Sequence, residues 1–420
     1  MKKHVLSGTR GRVVFWAGLL LWLAFFVEHL DVWQGHEILS LDYLSRFHDP
    51  RDLETRDIVF VSIDSDDFQT FSKGESHLPP ETVMETIARI ACAEPLVIAV
   101  ALDTTNPKYH ALEGWLEHPC GTAQQKPRVP IVWARQAWLK GEPPGSNTAF
   151  KPNDLIVPGV VLGGAEEPPE PSVVGISNLF LDGGAVRRYK WVFATEDGGY
   201  ADSLALAVLK IIRKTPSSQT PSVLEQDCQI LNRDSKDCLT PAFIVFSQSA
   251  PHRVFTFQTL ATLATPSPVS TQGNRPILDP SWKDWLKGKI VFVGGEYPQG
   301  SDRYPTPVGE QYGVRIHAEA LASQWAKNTI WVRPGWVVIP SEIAALCILF
   351  FLQHWIKKPA ARLWTIFLGM LALSTALSYI AFDTRVVLST WLASLNFIPL
   401  LAAVFLDVVK DFAAERMSAS

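Results

Sequence analysis

The sequence predicts an α/β domain with a mainly parallel central sheet, joined to four transmembrane α-helices. Four apolar runs approach the length of about 20 residues that a helix needs to cross a bilayer. A long segment between the first and second runs contains continuous apolar strands that alternate with helices. Hydrophobic residues make up 47% of the 420 residues and charged residues only 19%, which indicates that part of the chain lies in lipid.

The first apolar run, 13–30, follows a basic cytoplasmic arm, 1–12. No A-x-A-like cleavage site comes after this run, so we expect an uncleaved anchor rather than a signal peptide. Three further runs near the C-terminus have the length of transmembrane helices, at 336–355, 363–382 and 386–406.

Basic residues predict the orientation of these helices. The link between the second and third carries Lys357, Lys358 and Arg362, whereas the link between the third and fourth, DTR, is neutral. The positive-inside rule then places the arm and a tail, 407–420, in the cytoplasm and the large domain, 31–335, outside. The net charge of −4 argues against a nucleic-acid partner, which needs clustered Lys and Arg.

The outer domain begins with the pattern of a βαβ unit. A strand at 57–63 is followed by a helix from Pro80 through Ala93 and by a second apolar strand at 95–103. Further strands are predicted at 129–134, 186–194, 242–247 and 288–295, and further helices at 36–47, 202–213 and 313–329. Stretches rich in Pro, Gly and Ser, at 141–172 and 215–222, are typical of long loops inserted into one domain.

Several stretches carry a resemblance to a known family. They are IVFVSIDSDDF, VIAVALDTT, GGAVRRYKWVF, SLALAVLK and GKIVFVGGEYPQGSDRYPTPVGEQYGVRIHAEAL. Together they resemble the CHASE domain of the second type, a bacterial extracytoplasmic sensor module with one preceding and three following transmembrane helices. The resemblance covers roughly residues 30–408 and implies a multi-pass protein of the bacterial inner membrane with a periplasmic domain.

The resemblance also implies a role in signal transduction. Such modules usually pass a signal to a cytoplasmic cyclase or kinase domain, but this chain stops about a dozen residues after the last predicted span. We therefore expect a sensor that is not itself an enzyme and that works with a separate kinase or cyclase. Its other expected partners are membrane lipid, an unknown extracytoplasmic ligand or protein, and a second copy of the chain in a homodimer.

A ligand pocket is predicted at the carboxyl ends of the parallel strands, because open α/β sheets bind ligands there. Two carboxylates end the first two strands, and a glycine pair and a loop follow the strand at 288–295. The predicted residues are Asp64, Asp103, Gly294, Gly295, Asp302 and Thr306. The alternative is that these residues only cap helices and turns around a packed core.

Two other functions stay open. The stretch DSDD superficially resembles the nucleophile loop of haloacid-dehalogenase-like phosphatases, which would make Asp64 and Asp66 part of a phosphohydrolase. No convincing downstream Thr or Lys motif accompanies it, and we expect no metal and no cofactor. The second alternative is an envelope assembly protein whose outer domain binds another protein.

Four of the five cysteines fall in the outer domain, where an oxidising compartment favours disulfides. We predict the pairs Cys92–Cys120 and Cys228–Cys238. The alternative is that Cys92, which lies on a helix beside two alanines, is a buried free thiol.

Signal coupling is predicted to pass along the helix at 313–329 to the span that starts near Trp336. His317 lies on this helix, and Glu342 is the one acid well inside the last three spans. The simpler interpretation of His317 is a core or capping histidine whose hydrogen bonds are satisfied. The simpler interpretation of Glu342 is an interfacial residue whose carboxylate reaches outwards to the membrane surface.

Overall fold

The computed structural model describes most of the outer domain and little of the rest. The described residues are 57–72, 77–110, 129–143, 154–160, 172–181, 184–213, 282–297 and 302–325, short pieces between 228 and 256, and the pairs 331–332 and 386–387. The chain forms two compact units, one of residues Met1–Phe47 with Ile330–Ser420 and one of His48–Thr329.

In the first unit, two short strands, Trp331–Val332 and Val386–Val387, pair in parallel. Among the residues that the structure describes, no helix has the length and apolar character needed to cross a bilayer. The four predicted spans lie outside those residues, with one exception. The span predicted at 386–406 begins with Val386 and Val387, and these two residues form a strand.

The second unit is the α/β domain. Its strands are β1 (Ile58–Ile63), β2 (Val97–Ala101), β3 (Ile131–Arg135), β4 (Ala137–Leu139), β5 (Ile156–Pro158), β6 (Val173–Ile176), β7 (Arg188–Tyr189), β8 (Val192–Ala194), β9 (Tyr200–Asp202), β10 (Ala242–Phe243), β11 (Arg253–Thr256), β12 (Ile290–Gly295), β13 (Arg303–Thr306) and β14 (Gly309–Tyr312). Its helices are α1 (Ser65–Ser72), α2 (Pro80–Cys92), α3 (Leu204–Ile212), α4 (Trp282–Leu286) and α5 (Gly313–Trp325).

Six strands form the central sheet in the order β11-β1-β12-β2-β3-β6, and every neighbouring pair is parallel. This confirms the predicted mainly parallel sheet. Strands β1 and β2 are not neighbours in the sheet, because β12 lies between them. Ile63 of β1 pairs with Gly295, and Gly294 pairs with Ala101 of β2, so three strand ends meet at one edge.

Helices cover both faces of the sheet. On one face, alternate residues of β1, β2, β3 and β12 pack with Val83, Ile87 and Ile90 of α2 in one apolar core. On the other face, α3 packs along β2, β3 and β6, and α5 packs along β12 and α3. Both faces are therefore buried, which explains why β1, β2 and β12 are continuous apolar runs.

Local signals fix the ends of the helices. Pro80 occupies the first turn of α2, where its missing N–H costs nothing. The helix ends at Cys92, one residue before the predicted end, and Ala93 is its C-cap. Ser203 caps α3 by accepting a hydrogen bond from Leu206 N, at 3.2 Å. The strand predicted at 186–194 is instead two short strands, β7 and β8, with Lys190 and Trp191 buried between them.

Candidate functional site

The carboxyl ends of β1, β12 and β2 lie side by side, so the residues that follow these strands share one edge of the sheet. Asp64 follows β1, Tyr297 comes two residues after β12, and Asp103 comes two residues after β2. The sequence predicted this edge as the ligand site. We call it the carboxyl edge.

Asp64 is the N-cap of α1. Its Oδ1 accepts a hydrogen bond from Asp67 N at 2.8 Å, and Asp67 Oδ2 accepts one from Asp64 N at 3.2 Å. This reciprocal pair has the form of a capping box, and the negative charges lie at the positive end of the helix dipole. The capping alternative therefore accounts for the contacts of Asp64.

Asp103 is exposed and closes a turn. Its Oδ1 accepts hydrogen bonds from Thr105 N at 3.0 Å and from Thr105 Oγ1 at 2.7 Å. The carboxylate also acts on a nearby phenol, because it contributes, after burial, to raising the pKa of Tyr109. The Tyr109 hydroxyl donates to Leu78 O at 2.7 Å, which fixes the ring below the turn.

Tyr297 is the centre of the carboxyl edge. Its ring stacks on Phe68 of α1, with 4.5 Å between ring centroids and an angle of 19° between the planes. A Cβ added at Gly295 would lie 2.6 Å from Tyr297 Cε1, so the glycine makes room for the ring. Burial raises the pKa of Tyr297, and the carboxylates of Asp302 and Asp103 raise it further. Two of the three predicted carboxylates, those of Asp103 and Asp302, therefore act on the same phenol.

Asp302 places a poorly solvated carboxyl group at the start of α5. The residue as a whole is exposed, but its carboxylate packs against Gly313, where an added Cβ could not fit. Desolvation raises the pKa of Asp302 to about 6, although hydrogen bonds from Tyr304 and from the Gly313 backbone favour the charged form. The group therefore changes charge in a mildly acidic range.

Two predicted site residues have other contacts. Gly294 is buried, and a Cβ at this position would lie 2.7 Å from Val314 Cβ, so its contact is with α5. The Thr306 hydroxyl donates to Gly309 O at 2.5 Å and closes the turn between β13 and β14. The contact described for Thr306 therefore does not bring it to the ring of Tyr297.

Three aromatic residues at this edge, Phe68, Tyr109 and Tyr297, were not predicted as site residues. The position of Tyr297, two residues after the Gly-Gly end of a buried strand, was a signal in the sequence. Phe68 carried no such signal, because its place beside Tyr297 depends on β12 lying next to β1.

The predicted coupling residue His317 is 2% exposed on α5, and both ring nitrogens have partners, the hydroxyl of Tyr189 and the carbonyl of Ser177. These contacts agree with the interpretation as a satisfied core histidine. Burial lowers the pKa of His317 to about 4. The other two coupling residues, Trp336 and Glu342, lie outside the described residues.

Cys92 and Cys228 are both disulfide-bonded, so the free-thiol alternative for Cys92 is wrong. Cys120 and Cys238 lie outside the described residues, and the pairing Cys92–Cys120 and Cys228–Cys238 stays a prediction. Within the described ranges, no group of three or more His, Cys, Asp or Glu side chains could hold a metal ion.

Comparison with known proteins identifies the family. Neither the curated proteins nor the solved structures contain a match to this chain. The sequence profile of the CHASE2 domain, an extracellular sensor module, matches residues 16–355. Because this match spans most of the chain, the protein belongs to the CHASE2 domain family.

Proposed function

We propose that the protein is a membrane-anchored extracytoplasmic sensor of the bacterial inner membrane. The family match is the observation that carries this proposal, since CHASE2 domains are sensor modules. The disulfide bonds of Cys92 and Cys228 support an oxidising compartment outside the cytoplasm.

The ligand binds at the carboxyl edge, against Tyr297 and between Asp103 and Asp302. The support is that both carboxylates act on the Tyr297 phenol, and that one of them is held in poorly solvated form. A carboxyl group with a pKa strongly raised by desolvation at such an edge is typical of functional sites, because its charged form lowers the stability of the fold.

The signal passes to α5 through two contacts. The Asp302 carboxylate packs on Gly313, the first residue of α5. Glu296, next to Tyr297, forms a bidentate ion pair with Arg315, in which Nη2 and Oε2 are 2.9 Å apart. A ligand that displaces Tyr297 or Asp302 would therefore change contacts at the start of α5. Such a ligand shifts the equilibrium between two conformations of the protein only if it binds them with different affinity.

A thermal-shift screen of the full-length protein in detergent tests the site. The panel contains amino acids, polyamines, dicarboxylates and simple sugars, each added alone. We expect one class to raise the melting temperature and Asp302→Asn to abolish that rise. Glu310→Gln is the control, because Glu310 is exposed in the same hairpin and pairs with Arg303. A rise of equal size in both variants would contradict the site.

The output is tested by crosslinking in intact membranes, followed by mass spectrometry of the crosslinked peptides. The sensor function predicts a kinase or a cyclase crosslinked to the tail, 407–420, or to the predicted spans. Crosslinks only between the outer domain and other envelope proteins would contradict it and support the assembly role.

A further inference from the structure

Two carboxylates of the carboxyl edge have no cationic partner in the described part of the chain. The hydrogen bonds that Asp103 accepts come from the backbone and the hydroxyl of Thr105. Those that the Asp302 carboxylate accepts come from the Tyr304 hydroxyl and the Gly313 N–H. All of these donors are neutral, so they leave the negative charges of both carboxylates uncompensated.

The arginines of the neighbouring segments already have carboxylate partners. Arg315 forms the bidentate ion pair with Glu296, and Arg303 Nη2 lies 2.7 Å from Glu310 Oε2. The segments at this edge, 64–68, 103–110, 296–297 and 302–315, contain seven acidic and three basic residues: Asp64, Asp66, Asp67, Asp103, Glu296, Asp302 and Glu310 against Lys108, Arg303 and Arg315. The full count therefore leaves an excess of negative charge, which a cation from outside complements.

Tyrosine rings lie beside both carboxylates. After burial, Asp302 and Asp103 are the groups that raise the pKa of Tyr297, and Asp302 also accepts the hydrogen bond from Tyr304. Both rings are half-buried, and that of Tyr297 is fixed by its stacking on Phe68. Aromatic faces attract organic cations, because the ring quadrupole is negative at the face. We call Asp103, Tyr297, Asp302 and Tyr304 the acidic–aromatic site.

The composition of the acidic–aromatic site favours an ammonium group over a metal ion. Within the described ranges, no group of three or more His, Cys, Asp or Glu side chains could hold a metal, and divalent cations require a shell of several oxygen ligands. An ammonium group instead has three N–H donors and tolerates aromatic neighbours. It is also attracted strongly by the poorly solvated carboxylate of Asp302, because little water screens the charge there.

We propose that the acidic–aromatic site binds an organic amine, whose ammonium groups pair with Asp103 and Asp302 on the rings of the two tyrosines. This inference rests on the proposed sensor function and names the ligand class of the same site. A diamine fits better than a monoamine, because it carries one ammonium group for each carboxylate. Dicarboxylates are repelled by the same charges, and neutral sugars gain nothing from them.

Isothermal titration calorimetry of the full-length protein in detergent at pH 8 tests the ligand class. The probes are diaminobutane, diaminopentane, butylamine and butanediol, which has the length of diaminobutane but no charge. We expect saturable binding of a diamine, weaker binding of butylamine and no binding of the diol. Absence of diamine binding, or a diol that binds as tightly as the diamines, would overturn the inference.

Asparagine variants test the two carboxylates, because each keeps the size of the side chain and removes one charge. Asp103→Asn and Asp302→Asn should each weaken diamine binding by roughly tenfold or more, since a charge-assisted hydrogen bond is lost. The matched control is Asp66→Asn, which makes the same change at an exposed residue of this edge and should weaken binding by less than about twofold. Equal weakening in all three variants would show general attraction to an acidic surface and reject the site.

The pH dependence of binding gives a second readout. Desolvation raises the pKa of Asp302 to about 6, so its carboxylate loses its charge between pH 8 and pH 5. Tyr297 and Tyr304, which face it, stay neutral in this range because burial raises their pKa values. Diamine binding should therefore weaken on acidification, and by less in Asp302→Asn. An equal loss of affinity in wild type and variant would reject the role of Asp302.

Failure of this inference differs from failure of the sensor site. A dicarboxylate or a sugar that raises the melting temperature of wild type but not of Asp302→Asn would keep the site and overturn the amine class. No thermal shift and no heat of binding with any class would overturn both.

Discussion

The Tyr189 hydroxyl and His317 Nδ1 are 2.6 Å apart in the buried centre of the domain. On the other side of the ring, Nε2 lies 3.0 Å from Ser177 O, so Nε2 carries the proton and Nδ1 accepts from the tyrosine. The tyrosine oxygen in turn accepts from Ala205 N, at 3.2 Å. One chain of hydrogen bonds thus joins the middle of α5 to the first turn of α3.

Removing the tyrosine hydroxyl should destabilise the domain. Tyr189→Phe leaves His317 Nδ1 and Ala205 N without their partner, and an unsatisfied buried group costs about 2 kcal/mol. We expect a lower melting temperature for the full-length protein in detergent. Tyr200→Phe is the control and should change little, because Tyr200 is exposed. Equal melting temperatures for wild type and Tyr189→Phe would contradict this account of the network.

Acid should weaken the domain through His317. The pKa is about 4 in the folded protein, against an ordinary value of 6.5, so the unfolded chain takes up the proton first. Stability from this group is complete above pH 6.5 and is lost as the pH falls towards 4, by on the order of 3 kcal/mol. His317→Gln keeps a donor and an acceptor but does not titrate. The melting-temperature advantage of wild type over this variant should therefore shrink in that range, and a constant advantage would refute the prediction.

Asp302 should show the opposite pH dependence. Its folded pKa of about 6 lies above the ordinary 3.8, so the folded protein takes up the proton first and gains stability as the pH falls from 6 to 4. At pH 8 the charged carboxylate is a disadvantage, so Asp302→Asn should raise the melting temperature. The gain should disappear by pH 4. A variant that melts below wild type at pH 8 would show that the carboxylate stabilises the start of α5.

The close approach of β12 to α5 should make Gly294 intolerant of a side chain. Gly294→Ala places a methyl group 2.7 Å from both Val314 Cβ and Val314 Cγ2, and overpacking of this kind costs about 1–3 kcal/mol. Val314→Ala removes the Cγ atoms and should partly compensate. We expect the double variant to melt higher than the sum of the two single effects predicts. If the changes in melting temperature of the two single variants simply add in the double variant, the backbone has adjusted elsewhere to make room for the new methyl group.

The disulfides can be checked by mass. Alkylation of the denatured protein without reductant should leave Cys92 and Cys228 unlabelled, and peptide mapping should find Cys92–Cys120 and Cys228–Cys238. Labelling of Cys92 would contradict its disulfide-bonded state. A crosslinked peptide that joins Cys92 to Cys238 would keep both disulfides but reject the predicted pairing.

The sequence predicted the buried strands well, because each strand signals itself locally. Strands β1, β2 and β12 are apolar runs that end within two residues of the predicted bounds, and α2 begins at Pro80 as expected. The order of the strands was not predictable, since β12 pairs with β2 and β1, whose partner residues lie 193 and 232 positions earlier in the chain, and no local pattern encodes that pairing.

Local patterns also decided which residues of the candidate site could be predicted. Strand-end carboxylates can be read from the sequence, so Asp64 and Asp103 were predicted together, along with the loop that contains Asp302. The stacking of Phe68 on Tyr297 required the position of β12, and the local capping pair of Asp64 and Asp67 required side-chain geometry.

The position of β12 also determines when the domain can fold. Strands β1 and β2 emerge early from the ribosome or translocon, but the strand that joins them is made only when residues Ile290–Gly295 appear. Until then both strands expose unpaired edges and apolar faces, which is the state in which chains aggregate. Such distant pairing also slows folding. A chain truncated before Ile290 would therefore have no continuous central sheet.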